Sequence, residues 1–402
     1  MAPTPVSDTT ALKARALKAL DGLEAEARAL ALRIHDTPEI GFEEERAVAW
    51  VSELLEQHGL RVDRGVAGIP TAIVARVPGG HGGPTVGLIA EYDALAGLGH
   101  ACGHNLMAAG MAAAAAALGT VAPELRGSIV YYGTPAEEGG GGKALMLKGG
   151  AFQGCDAALQ YHAGDHTSVA TGCLAVQILT FQFRGRPAHS AAGPWNGLNA
   201  LDAVIQLFNS VNALRQQLRP ETRVHGIITD GGQAVNIIPE RATASLGVRS
   251  PDTAYHRDVV ARVEACARGA AEATGTTLEV TKGVLMESLK YNATLAGVVK
   301  RNSQAIGFEM AERFVGASTD LGNLSQALPT VSYTLPTCPP GVGMHTRAAL
   351  EAGKAEIGLA GMMNDARVMV LSAIDLLTSP DLIERAWADF RSGGNLSREP
   401  GA

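Results

Sequence analysis

A chain of 402 residues is too long for one ordinary hydrophobic core, so two domains are expected. Hydrophobic residues make up 46% of it, aromatic ones only 4%, and 48 positions are glycine, which suits an α/β protein with small-residue helix packing and excludes a disordered or fibrous chain. The net charge of -7 has both signs interspersed and shows no basic patch, which argues against nucleic acid as a partner.

Met1–Thr10 is polar and lacks a charged stretch followed by an apolar run, so no signal peptide is expected. Residues 11 to about 58 carry Leu and Ala at helical spacing, broken at His35-Asp-Thr-Pro38, and predict two helices. Thr71–Arg76 and Thr85–Ala90 predict strands, the second apolar enough to be buried on both faces. An Ala-rich helix is expected over Leu106–Leu118, with Asn105 placed to cap it. At that length it is a buried core helix rather than a membrane span, and no membrane partner is expected. A strand at Gly127–Gly133 follows. Strands alternating with helices predict a mostly parallel sheet, whose sites lie at the carboxyl ends of its strands. Asp93, Glu137 and His162 all fall just past an expected strand.

A second pattern begins near Leu174. Strands at Val176–Phe183, Arg223–Ile228, Ala242–Arg249 and Thr277–Thr281 alternate with helices at 198–216 and 254–274. The order β-α-β-β-α-β predicts a ferredoxin-like α+β domain over 174–287, inserted between 1–173 and 288–402 of the larger domain. The tail from Ser392 is polar and expected to fray. Cysteines 102, 155, 173, 266 and 338 are odd in number and not closely paired, which favours a reducing, cytoplasmic setting over a disulfide framework.

Metal-ligand chemistry is scattered along the larger domain. Cys102-Gly-His104 sits in a Gly-rich turn, and Glu137-Glu138 follows a strand. His162 ends one, and His345 lies in a loop with no evident core role. Thiolate, imidazole and carboxylate donors can hold one or two divalent metals, and a spare carboxylate beside them is the minimum for metal-assisted hydrolysis. Each motif alone has a plain structural alternative: Cys-x-His pairs recur by chance, and paired acids often mark a solvated loop. Gly139–Lys143 has the wrong spacing for a phosphate loop, and Ala144 stands where that motif needs Ser or Thr. His166 follows His162 by four residues, but the intervening Gly164 argues against a helical His pair. For His225 a buried structural role and a catalytic one remain open.

Further blocks join these: His35-Asp-Thr-Pro-Glu-Ile-Gly-Phe-Glu-Glu44, Glu91–Asn105, Thr134-Pro-Ala-Glu-Glu-Gly139, Arg186-Pro-Ala-His-Ser190, Gly231–Pro239, Ser318–Asn323 and Met344-His-Thr346. In this order they resemble the aminoacylase and zinc carboxypeptidase family of bimetallic amidohydrolases, in particular the branch of aminobenzoyl-glutamate hydrolase and Xaa-Arg (β-alanyl-lysine) dipeptidase. The resemblance implies a metallopeptidase catalytic domain with an inserted lid and dimerisation domain. It implies two divalent ions, zinc first, with manganese and cobalt as alternatives. Cys102 would bridge them, with His104 and His162 on one and Glu138 and His345 on the other. Glu137 would be the general base for water attacking the amide of an N-acyl amino acid or dipeptide. His189, from the lid of a second protomer in a homodimer, would stabilise the oxyanion, and Asn236 and Arg249 would bind the substrate's carboxylate. Asp93 would orient a ligand imidazole, and Glu91, which stands where relatives outside this branch place a ligand histidine, would be only an outlying acid. Two other readings stay open: a metal-free hydrolase with Cys102 as nucleophile, which leaves Glu138 and His345 idle, and a non-catalytic binding relative.

Overall fold

The computed structural model describes residues 8–77 and 82–393; residues 1–7 of the polar N-terminus and 394–402 of the tail lie outside the described residues. The N-terminal helical segment holds three helices, not two: α1 (Thr9–Gly22), α2 (Glu24–His35) and α3 (Glu45–Gln57). The unforeseen break follows Gly22, a poor helix former, and Leu23 closes α1 by bonding back to Leu20 O. Glu24 and Glu26 then favour a new N-terminus through the helix dipole.

There follow β1 (Arg61–Arg64), β2 (Ile73–Arg76), β3 (Thr85–Glu91), α4 (His104–Gly119), β4 (Ser128–Thr134), α5 (Gly142–Lys148), β5 (Ala157–Tyr161) and β6 (Ser168–Cys173). Next come β7 (Ala175–Arg184), α6 (Ala200–Arg215), β8 (Arg223–Asp230), β9 (Arg241–Ser250), α7 (Thr253–Thr274) and β10 (Thr277–Lys282). The chain continues through α8 (Ala293–Ala305), β11 (Ala311–Val315), α9 (Leu321–Ala327), β12 (Thr330–Thr334), α10 (Arg347–Ala352), α11 (Glu356–Thr378) and α12 (Pro380–Arg391). Two compact units result. One comprises the chain through Gly172, Leu289–Val315 and the chain from Asp320; the other is Cys173–Ser288 with a short return, Gly316–Thr319.

The first unit is an α/β layer structure around an eight-stranded mixed sheet of order β1-β2-β4-β3-β5-β12-β6-β11. Its centre, β4-β3-β5-β12, is parallel, while β1, β2 and β6 pair antiparallel. The strands β3, β4 and β5 therefore end on one edge, with Glu91 directly opposite Thr134. The Ala-rich α4 packs among α1, α2, α3, α11 and the sheet, and its small side chains let those neighbours approach closely. By length and composition α11 could cross a bilayer, but here it is largely buried against α4 and α8.

Asn105 does not cap α4. Gly103, with φ 75°, takes that place, and the Asn105 amide donates to Ala31 O at 3.2 Å and Gly353 O at 3.0 Å, tying α4 to α2 and to the end of α10. The second unit has the ferredoxin-like order β7-α6-β8-β9-α7-β10, with an antiparallel sheet β10-β7-β9-β8. Phe181, Phe183, Leu207, Leu246 and Val263 lie in its core between sheet and helices.

Candidate metal centre

The loop from β3 into α4 sets the geometry. A Cβ at Gly103 would lie 2.3 Å from that of Ala163, so only glycine lets the Cys102–His104 turn sit against the loop after β5. His104 opens α4 fully buried, and its Nδ1 donates to Asp93 O (2.9 Å) and Asp93 Oδ1 (3.0 Å), which turns the Nε2 toward the other donors. Asp93 Oδ2 accepts from the backbone N–H of Glu138 at 2.9 Å, so one carboxylate orients two of the expected ligands. The Nδ1 of His162 donates to Ala163 O (2.8 Å), and its Nε2 lies 3.8 Å from Cys102 Sγ. His345, at φ 62°, is tied by its backbone N–H to Ala101 O at 2.9 Å, and its Nε2 lies 3.0 Å from Glu138 Oε1.

Among the described residues three donor groups form, each with its atoms within 4.8 Å of one another: Cys102, His104 and His162; Cys102, Glu138 and His345; and Glu91, His104 and Glu137. Cys102 belongs to the first two. Among the described residues, buried His104 Nε2, Glu138 Oε1 and Glu91 Oε2 make no aligned hydrogen bond, although His104 Nε2 lies 3.2 Å from Glu91 Oε2 and Glu138 Oε1 lies 3.0 Å from His345 Nε2. An unpartnered buried polar atom costs about 1–3 kcal/mol. Several converging without hydrogen-bond alignment are what a cation satisfies. Burial pushes the Cys102 thiol up to about 12, so it becomes a ligand thiolate only where a metal displaces its proton. The mixed sulfur, imidazole and carboxylate set fits divalent transition ions.

Beneath the donors lies a buried charge cluster. Lys143 Nζ is 2.5 Å from Glu91 Oε1 and 2.5 Å from Asp320 Oδ1, and Gln160 Nε2 donates to Glu91 Oε1 at 2.7 Å. Burial disfavours the Glu91 charge, but Lys143 and His104 outweigh it and lower the proton affinity of Glu91. Glu137 goes the other way. Burial, reinforced by repulsion from Glu91, holds its carboxyl well above the usual range. Two neighbouring acids with proton affinities pushed apart are the arrangement acid–base chemistry needs.

The structure thus brings Cys102, His104, Glu137, Glu138, His162, His345 and Asp93 together in the first unit. His189, Asn236 and Arg249 lie in the second. There His189 bridges to Ile237 and its exposed ring accepts from Ala191 N and Ala192 N at 3.1 Å each, while Ser190 N donates to Asn236 O. Arg249 donates to Ser318 Oγ (2.8 Å) and to His225 Nε2 (3.3 Å). His225 is exposed, so the buried role expected as one alternative for it is not seen. His166 pairs with its neighbour Asp165 at 2.8 Å and joins none of the donor groups.

Lys143, Asp320 and Gln160 were not anticipated, and Glu91 stands closer to the donors than an outlying acid. The signals were faint: a lysine in a glycine run that fails as a phosphate loop, and an aspartate inside the Ser318–Asn323 block.

Residues 85–350 match Peptidase family M20/M25/M40. The chain belongs to that family. It is 33% identical over 402 residues to the Xaa-Arg dipeptidase of Mus musculus, covering 94% of this chain and 92% of the relative. To a p-aminobenzoyl-glutamate hydrolase component of Escherichia coli (strain K12) it is 29% identical, covering 90% and 92%. Its fold superposes, with a TM-score of 0.69 at 18% identity, on a Bacillus subtilis protein described as a dinuclear metal binding peptidase, covering 89% of this chain and 99% of that one. This member of the M20/M25/M40 family is a hydrolase.

Proposed function

We propose that this chain is a metal-dependent amidohydrolase or dipeptidase acting on N-acyl amino acids or dipeptides, with Glu137 as general base. The observation that carries the reading is the convergence of buried, unpartnered donor atoms on two groups that share Cys102. Cys102, His104 and His162 would hold one divalent ion, and Cys102, Glu138 and His345 a second; zinc suits the set, as do manganese and cobalt. Such ions, when bound, supply Lewis acidity to water and to the amide oxygen. Asp93 keeps the His104 ring turned so that Nε2 faces the site. Glu137, with raised proton affinity, takes the proton from attacking water at its carboxylate and returns it to the departing amine. The names of the mouse and Escherichia coli relatives, a dipeptidase and a hydrolase of an aminobenzoyl amide of glutamate, support amides of amino acids as substrates.

The reading extends to the second unit as lid and dimerisation unit. Arg249 and Asn236 would hold the substrate carboxylate, Arg249 through its planar fork, and His189, offered by a second copy, would steady the oxyanion. Exposed Ile227 and Ile228 on β8, an edge strand, support a homodimer through this unit. The free thiols suit a cytoplasmic, reducing setting.

The test is metal content measured alongside hydrolysis of N-acetyl amino acids, aminobenzoyl-glutamate, β-alanyl-lysine and other basic dipeptides, before and after chelation. Activity should vanish on chelation and return with zinc, manganese or cobalt. Glu137→Gln should lose turnover while keeping metal, and Glu138→Ala should lose metal. Chelation-resistant activity would instead assign the chemistry to Cys102, and a fully active Glu137→Gln would remove the base.

A further inference from the structure

Glu44 stands where α3 begins, yet its side chain caps none of that helix. The capping falls to Glu39, whose carboxylate accepts from the N–H of Arg46 at 3.0 Å and of Ala47 at 2.9 Å. Glu44 is thereby free to point elsewhere. It is fully buried, and its Oε1 accepts from the backbone N–H of Ala136 at 2.8 Å.

Ala136 is an unusual residue to hold. Its φ of 53° lies in the left-handed region, which the Cβ of an L-residue disfavours, and Glu137-Glu138 follow it directly. Side chains at Gly41 or Gly140 would come within 2.7 Å and 2.6 Å of the Ala136 Cβ, so these glycines leave room for the strained residue, and the Gly140 N–H donates to Ala136 O at 3.1 Å. Of its two backbone polar groups, the N–H is held by a side chain, donating to Glu44 Oε1. A rotation at Ala136 would re-aim both following carboxylates, one the candidate base and one a candidate ligand.

We propose that Glu44 is a positioning residue for hydrolysis: its carboxyl holds the Ala136 amide, keeps that residue left-handed, and so fixes the directions of Glu137 and Glu138. The inference rests on the roles assigned to those two residues above. Burial pushes the Glu44 carboxyl up to about 7, and an acceptor oxygen is present in either protonation state.

The experiment compares Glu44→Ala, Glu44→Gln, Ala136→Gly and Glu44→Ala/Ala136→Gly for kcat, KM, metal retained on dialysis and melting temperature. Glu44→Ala should lower kcat by about a hundredfold with KM little changed, and should weaken metal retention. Glu44→Gln, which keeps the acceptor, should recover most of the loss. Adding Ala136→Gly to Glu44→Ala should restore at least about tenfold, because glycine occupies the left-handed region without steric cost. A general loss of core packing would not be relieved by that glycine. Should Glu44→Ala not fold, Glu44→Asp, one methylene too short for the amide, replaces it. Full activity in Glu44→Ala, or a double variant no better than Glu44→Ala, overturns the inference. Glu137→Gln is assayed in parallel. If that variant is active, the base assignment itself has failed; if it is inactive while the Glu44 variants are unimpaired, only the role of Glu44 has.

Discussion

Lys143 has no exposed surface, and a buried ammonium persists only where opposite charge and hydrogen bonds replace water. Glu91 and Asp320 supply both, and the Lys143 backbone N–H adds a bond to Asp320 Oδ2 at 2.7 Å. Removing the cation alone leaves two carboxylates without their partner, so Lys143→Met should cost about 3–5 kcal/mol in a urea titration. Lys143→Met/Asp320→Asn should cost clearly less, since one stranded charge goes with the lysine. A double variant as unstable as the single would show that packing, not charge balance, sets the cost. None of this was legible in the sequence, where Lys143 invited only a phosphate loop that it failed to make. The candidate donors that the structure brings together were legible because sulfur and imidazole are rare and their chemistry is local. A charge cluster assembled from positions 91, 143, 160 and 320 has no spacing to betray it.

At the scale of elements, the turn joining β3 to α4 decides whether the donors meet. Gly103→Ala would put a methyl 2.3 Å from the Ala163 Cβ at a φ of 75°. The backbone conformation alone costs about 1–2 kcal/mol for an L-residue. The variant should therefore melt earlier and retain less metal on dialysis; unchanged metal content would mean that the turn can shift without moving Cys102 and His104. Elements with strong periodicity were readable: the apolar run of β3, the alanines of α4, and the alternation of β7 and β9 in the second unit. The break at Gly22 was missed because Leu23 keeps the helical spacing of apolar residues across it. Asn105 was misread because asparagine at a helix start is a common cap, whereas here the left-handed Gly103 ends the loop and the amide reaches Ala31 and Gly353. The short strands β1, β6, β11 and β12 carry too few residues for a period to show.

For the whole molecule, the proposed use of His189 across a dimer has a direct test. His189→Ala and Glu137→Gln, each inactive alone, should regain activity when mixed under conditions in which protomers exchange. In an isologous dimer each mixed pair keeps one site with both groups intact. Mixtures that exchange but stay inactive would confine His189 to its own chain, or to no role.

The position of β12 has a consequence for how the protein is made. In the sheet it lies between β5 and β6, pairing Thr330–Tyr333 with Ala158–Tyr161 on one side and Thr334 with Ser168 on the other. Those two neighbours follow each other in the chain, yet the slot between them is filled by a strand synthesised well over a hundred residues later. A chain emerging from the ribosome must carry an open seam through the middle of its main sheet until that strand arrives, and late, non-local pairing of this kind is slow. His345 emerges later still. A nascent chain therefore carries Cys102, His104 and His162 but not yet all the proposed ligands, and on that proposal hydrolysis cannot begin before the seam has closed.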